Sequence, residues 1–202
     1  YTAGIFNGRQ DFNPGTNPGD TLFLQSDSTF STLYSAFLTK LDGQGNFLWA
    51  RGIIAFGASN QTHAIQPTLR PVTDASGNCY VFVTARDSAF YIDNGMGTLD
   101  TFTYAAPHQT YTLTKNYLIK FSPQGNMLWV KPISGSVGYT NGYLNGMITD
   151  ENGSVYLASS YTDTVIFDPE GWNHSLNLLP FDNGNFICKI DSSGHFLWVK
   201  QF

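Results

Sequence analysis

Four histidines, two cysteines, four tryptophans and fifteen acidic residues are the groups with which this 202-residue chain could do chemistry. His63, His108, His174 and His195 lie far apart, without the short spacings that put two imidazoles on one metal. Cys79 and Cys188 are too few for a cysteine zinc cluster or a disulfide-rich scaffold. No Gly-x-Ser-x-Gly elbow, His-Glu-x-x-His pair or phosphate-binding loop occurs. Gly135-Ser136-Val137-Gly138 reads only as a loop between strands. The acids are 13 Asp against 2 Glu, and Asp42, Asp74, Asp150 and Asp191 each open a run that ends in Gly three residues on. Such carboxylates could hold Ca²⁺. An Asp at the first position of a turn instead accepts from backbone N–H groups. Turn capping is the expectation: each turn has at most two acids, Ser122 stands in for Asp in one of them, and no EF-hand loop is present. No metal or cofactor is expected.

Three of the tryptophans, Trp49, Trp129 and Trp198, recur in one motif, while Trp172 does not. The recurring ones could stack on sugars. A large aromatic fixed in every repeat is better explained as packing between repeats. Trp172 and His174 sit in the unrepeated run Gly171-Trp172-Asn173-His174, and are the candidate contacts for a ligand or partner. Lys40, Lys120 and Lys189 also recur, and read as solvated or ion-paired rim residues. His195 takes a turn position held elsewhere by Asn46 and Asn126, so it reads as a solvated turn residue.

The elements that carry these residues form a repeat. Phe37 to Arg51, Tyr117 to Lys131 and Phe186 to Lys200 are three copies of one segment, with Trp49 and Trp129 separated by 80 residues and Trp129 and Trp198 by 69. Each copy reads as a β-hairpin, with aromatic and β-branched flanks around a Gly-containing turn. In Ser122-Pro123-Gln124-Gly125, Pro suits the second position of a type I turn and Gly suits a following residue with positive φ. Gly45, Gly125 and Gly194 hold that place, which is the formula for a type I turn with a Gly bulge. A second hairpin follows in each unit: Asp74 to Val81 matches Asp150 to Leu157, 76 residues on. A third element begins at Phe12-Asn13-Pro14-Gly15, Ile92-Asp93-Asn94-Gly95 and Phe167-Asp168-Pro169. No segment has a helical apolar period.

These features predict an all-β chain: a partial β-propeller of four-stranded antiparallel blades, since such sheets repeated along a chain are the mark of that fold. A two-sheet sandwich is the alternative, but gives no reason for the motifs to recur. The units are residues 1–36, the end of a preceding blade with its connector; 37–116 and 117–185, each a blade with its connector; and 186–202, the first hairpin of a further blade. The chain would then be a window on a longer propeller, its remaining blades lying in the same longer chain. Cys79 and Cys188 are expected reduced and apart, each replacing an apolar residue of another copy.

Composition limits function. Charged residues are 12%, against roughly 25% in an average soluble domain. Lys+Arg number 10 against Asp+Glu 15, which argues against nucleic acid as a partner. No apolar run is long enough to cross a bilayer. Low charge with abundant Tyr, Phe, Thr, Asn and Gly reads as an extracellular or surface protein.

The motifs resemble the β-propeller repeats of secreted Bacteroidota proteins, related to the seven-bladed β-propeller repeat family. Phe37 to Arg51, Asp74 to Tyr80, Phe167-Asp168-Pro169 and their copies carry the resemblance, which covers nearly the whole chain. The segments after Gly15, Gly95 and Gly171 depart from the pattern by lacking its small-residue turn. The resemblance implies a protein exported by the type IX secretion system and displayed or released at the cell surface, with secretion or surface-assembly proteins as partners. The expected function is a non-catalytic scaffold for adhesion, assembly or recognition, with glycan as one conceivable ligand. The alternative is a carbohydrate-active lyase or hydrolase on a propeller. It would need an acid and a base at unique positions, and no such pair stands out.

Overall fold

The computed structural model describes residues 1–13, 23–25, 35–56, 65–67, 70–85, 89–93, 95, 98–103, 115–137, 144–167, 175–177 and 183–202. All the regular elements among them are strands. β1 (Thr2–Phe6), β2 (Arg9–Asp11) and β3 (Phe23–Gln25) precede the first Leu-Trp hairpin, β4 (Ser35–Leu41) and β5 (Phe47–Phe56). Then come β6 (Ile65–Pro67), β7 (Val72–Thr73), β8 (Cys79–Ala85), β9 (Ala89–Asp93) and β10 (Leu99–Thr103). The second Leu-Trp hairpin is β11 (Lys115–Phe121) and β12 (Met127–Val137), followed by β13 (Gly146–Thr149), β14 (Val155–Ile166) and β15 (Ser175–Asn177); Gly135 to Val137, expected as a loop, continue β12 because they pair with β14. β16 (Asn183–Ile190) and β17 (Phe196–Gln201) form the third. No helix among the described residues is long and apolar enough to cross a membrane.

The three hairpins are built alike because their turns are alike. In each, the first turn residue and the glycine are joined by a backbone bond, Gly45 N to Asp42 O, Gly125 N to Ser122 O and Gly194 N to Asp191 O. The glycines have φ of 88°, 84° and 86°, in the left-handed region that a side chain disfavours. Each hairpin then slips register after the recurring lysine, at Lys40/Leu41, Lys120/Phe121 and Lys189/Ile190. The extra residue is the bulge that this turn formula requires.

Sheet pairing links each second hairpin to the Leu-Trp hairpin that follows it. β8 pairs with β11, and β14 pairs with β16. Two equivalent four-strand sets result, β7–β8–β11–β12 and β13–β14–β16–β17. The first copy has β1–β4–β5 in the same arrangement. Hydrogen bonding therefore crosses the sequence boundaries at 36/37, 116/117 and 185/186. A repeat period fixes the length of a unit but not its phase, so the sheets are out of step with the units read from sequence.

An outer hairpin then extends each preceding sheet. β9 pairs with β5 and carries β10. In the next copy both roles fall within one continuous strand. β14 pairs with β16 over Val155–Thr162, then with β12 and β15 over Tyr161–Ile166. That continuity joins two sheets into one ten-stranded sheet.

The sheets stack face to face because strands alternate their side chains. On β11, Tyr117, Ile119 and Phe121 enter a core shared with Leu38, Trp49 and Ile53 of the first sheet. Leu118 faces the other way, into a core with Val155, Leu157, Phe186 and Cys188 of the third. The middle sheet is thus buried on both faces, which is how adjacent blades of a propeller pack. A two-sheet sandwich has no such middle layer. A smaller cluster of Phe6, Leu24 and Ala50, with Phe12, Phe37 and Phe47 against it, covers the far face of the first sheet. Cys79 and Cys188 are free, buried and in different cores.

Candidate functional site

The recurring tryptophan and lysine are cross-strand partners, Lys40 with Trp49, Lys120 with Trp129 and Lys189 with Trp198. A tyrosine completes the row. Tyr80 pairs with Lys120 and Tyr156 with Lys189, while Tyr1 precedes the Thr2–Thr39 pair and so stands beside Lys40. Directly opposed residues share a face. Each lysine ammonium lies over its tyrosine ring, at 5.2, 5.0 and 4.8 Å from the centroid for Lys40, Lys120 and Lys189.

The first two rows each dock on a turn of the next copy. Lys40 Nζ donates to the Pro123 carbonyl at 2.9 Å, and Trp49 Nε1 donates to the same oxygen at 3.0 Å. One copy on, Lys120 Nζ and Trp129 Nε1 both donate to the Ser192 carbonyl, at 2.8 and 3.2 Å. Pro123 and Ser192 hold the same position in their turns. Arg51 Nε adds a bond to the Gly125 carbonyl at 2.7 Å. The tyrosines reach the turn of the neighbouring second hairpin: Tyr1 donates to Gly77 O at 2.7 Å, and the Tyr80 hydroxyl lies 2.9 Å from Gly153 O. Thr149 Oγ1 donates to Thr73 O at 2.7 Å and ties β13 to β7.

The glycines of these turns admit the row. A Cβ on Gly125 would lie 2.7 Å from the Trp49 ring, and one on Gly194 would lie 2.8 Å from the Lys131 side chain and 3.3 Å from the Trp129 ring. Gly45 has the same φ but meets nothing within 4 Å.

Ion pairs tie each of two lysines into its own sheet. Lys120 Nζ is 3.7 Å from Asp74 Oδ2, with both side chains almost fully covered. Lys189 Nζ is 2.9 Å from Asp150 Oδ2 in a more open setting. Burial works to raise the Asp74 pKa, but hydrogen bonds from Asn78 and Tyr80 and the charge of Lys120 outweigh it and hold the carboxyl below its ordinary value. The Lys189 hydrogen bond pulls Asp150 down to about 2. Burial, then the Asp74 carboxylate, pushes Tyr80 well up, so its hydroxyl stays protonated. An ammonium hydrogen bond of this kind contributes ~1.5–3 kcal/mol before the cost of burying the charge is subtracted.

The Asp carboxylates of the turns are turned inward. Asp42 Oδ1 accepts from Gln44 N and Asn46 N, and its Oδ2 accepts from Asn46 Nδ2. Asp74, Asp150 and Asp191 repeat the pattern at their own turns. Among the described residues no three His, Cys, Asp or Glu side chains converge. His195 is an exposed turn residue with Nδ1 3.1 Å from Asp191 Oδ2. Trp172, His174, His63 and His108 lie outside the described residues.

The recurring lysines are more than solvated or ion-paired rim residues: Lys120 is 6% exposed and bridges two copies. A lysine at the end of a strand reads as solvent-facing, and only the stacking of sheets reveals a carbonyl opposite it. Tyr80 and Tyr156 recur at matching places in the second hairpin, which is the sequence signal for the tyrosine of the row. Trp49 is 8% exposed against 37% for Trp198, whose indole N–H has no acceptor among the described residues.

No family model matches the chain. It is similar to an uncharacterized WD repeat-containing protein of Acanthamoeba polyphaga mimivirus, 26% identical over 178 residues that make up 86% of this chain. The chain spans 12% of the length of that relative. This likeness and the stacked antiparallel sheets fit a β-propeller-like repeat protein.

Proposed function

We propose that this chain is a non-catalytic propeller-type scaffold, an interaction module secreted or displayed at the cell surface, where it serves adhesion, assembly or recognition. The observation that carries the reading is the use made of the recurring polar residues. The first two Tyr-Lys-Trp rows reach carbonyls of neighbouring copies, and the turn carboxylates cap their own backbone. Residues fixed in every copy therefore serve architecture, and recognition falls to what varies between copies, such as the Trp172 and His174 segment. Further blades of a longer chain, surface-assembly proteins or a glycan would be the partners of such a module. The WD-repeat likeness supports the scaffold part of the reading. The low charge and the resemblance to secreted propeller repeats support the location.

The test is a glycan array and a cell-surface protein capture run beside a hydrolase and lyase screen, with and without Ca²⁺ or Zn²⁺. Binding that Trp172→Ala weakens, without turnover, is the expected result. Turnover of a polysaccharide, abolished by changing one acidic residue, would overturn the reading.

A further inference from the structure

The recurring leucine is the exception among residues fixed in every copy, because the seams do not use it. Each Leu-Trp hairpin leaves one residue of its second strand unpaired at the bulge. Leu48 lies between the Leu41–Phe47 and Lys40–Trp49 pairs, Leu128 between Phe121–Met127 and Lys120–Trp129, and Leu197 between Ile190–Phe196 and Lys189–Trp198. The three are 50%, 50% and 47% exposed. Packing explains a buried apolar residue repeated in every copy, but not one left half in water. Leu128 belongs to the middle sheet, which has a neighbour on both faces, so its exposure is a property of the bulge.

The leucines follow turns that carry one sign of charge. Residues 42–46, 74–78, 122–126, 150–154 and 191–195 form five turns, each closed by a backbone bond between its first and last residue. They lie at one end of the stack. Cys79 pairs with Phe121 and Val155 with Ile190, and Trp49 and Trp129 each reach the turn of the following copy. The turns hold five acids, Asp42, Asp74, Asp150, Glu151 and Asp191, and no Lys or Arg. Carboxylates that accept from backbone N–H groups, as these aspartates do, stay charged at neutral pH. The three recurring lysines reach in from the strands, so the face keeps a net negative charge.

We infer that this end of the stack binds a basic amphipathic helix, whose apolar stripe lies on the leucines and whose Lys and Arg face the acids. Packed sheets lie about 10 Å apart, so the leucines recur at about that step. Seven residues of α-helix rise about 10.5 Å and return to the same face. An extended chain covers about 10 Å in three residues, which puts successive contacts on opposite faces. A helix thus meets the row with one stripe, and a strand does not. A helix also satisfies its own backbone, and the turn carbonyls of Pro123 and Ser192 are already taken. Opposite charge selects a basic segment over an acidic one.

The inference rests on the reading of the chain as an interaction module, and it names a partner for that module. Fluorescence anisotropy of a labelled synthetic peptide tests it. The peptide is about 18 residues long, with leucines seven apart and Lys and Ala elsewhere. One control peptide has alanine in place of leucine, and another is broken by central prolines. The protein variant combines Leu48→Gln with Leu128→Gln, and thermal melts confirm that it is folded. The expected result is micromolar binding that salt weakens, and that falls at least about tenfold for either control peptide and for the variant. Equal binding by the alanine peptide or by the variant overturns the inference, because charge alone would then account for it. Equal binding by the proline peptide overturns it by removing the helix. Absence of binding to every peptide overturns it too, while a ligand lost in Trp172→Ala would leave the scaffold reading standing. Turnover of a polysaccharide would overturn that reading instead.

Discussion

Trp49→Ala and Trp198→Ala remove the same side chain from the same place in two copies, and the structure separates them sharply. Trp49 is 8% exposed, packs edge-on against Tyr1 at 5.7 Å and lies 6.4 Å from Phe121. Its indole N–H holds the Pro123 carbonyl at 3.0 Å. Truncating a buried Trp costs about 3–5 kcal/mol through lost burial and the cavity left behind. The hydrogen bond accounts for about 1 kcal/mol of that. Trp49→Phe should therefore cost about 1–2 kcal/mol, since most of the apolar contact is kept. Trp198 is 37% exposed and has no acceptor among the described residues, so Trp198→Ala should cost less, about 1–2 kcal/mol. Urea unfolding followed by circular dichroism reads the difference as a shift in midpoint at constant slope. Equal losses for Trp49→Ala and Trp198→Ala would refute the reasoning, because the seam contact would then contribute nothing.

Three further outcomes follow from the same geometry. Gly125→Ala should cost about 2–4 kcal/mol, combining a disfavoured φ with a clash against Trp49, while Gly45→Ala should cost about 1 kcal/mol from φ alone; the two midpoints in urea compare them. Asp150 is depressed from 3.8 to about 2 by Lys189, so the stabilisation it gives is complete above 3.8 and is lost as pH falls toward 2; Asp150→Asn should flatten the pH dependence of stability across that window. Burial pushes both Cys79 and Cys188 up to about 12, so an aromatic disulfide reagent at neutral pH should label neither thiol in the folded chain and both in denaturant.

What could be read from sequence was local, and what could not was relational. The turn formula depends on four consecutive residues, so Asp42 to Gly45 and its copies announce their own geometry, down to the positive φ of the glycine. The alternation on β11 likewise announces burial on both faces. The sheet membership of β8 is another matter. The Asp74 turn has the same formula as the Ser122 turn, and nothing local says whether β8 joins the hairpin before it or after it. The function of Lys120 is hidden for a related reason. Its partners, Asp74 and the Ser192 carbonyl, are 46 and 72 residues away, and only stacking brings them together. Trp172 and His174 are named by sequence uniqueness alone.

Hydrogen exchange at the tryptophan indoles tests the central claim, that a Lys-Trp row of each copy clamps the turn of the next. The chain has four indole N–H groups, each resolvable by nitrogen-edited NMR. In the folded chain Trp49 and Trp129 should exchange slowly, because their N–H groups are held by Pro123 and Ser192, and Trp198, whose N–H has no acceptor among the described residues, should exchange faster. If Trp49 and Trp129 exchange as fast as Trp198 in the folded chain, the clamp does not exist and the account fails.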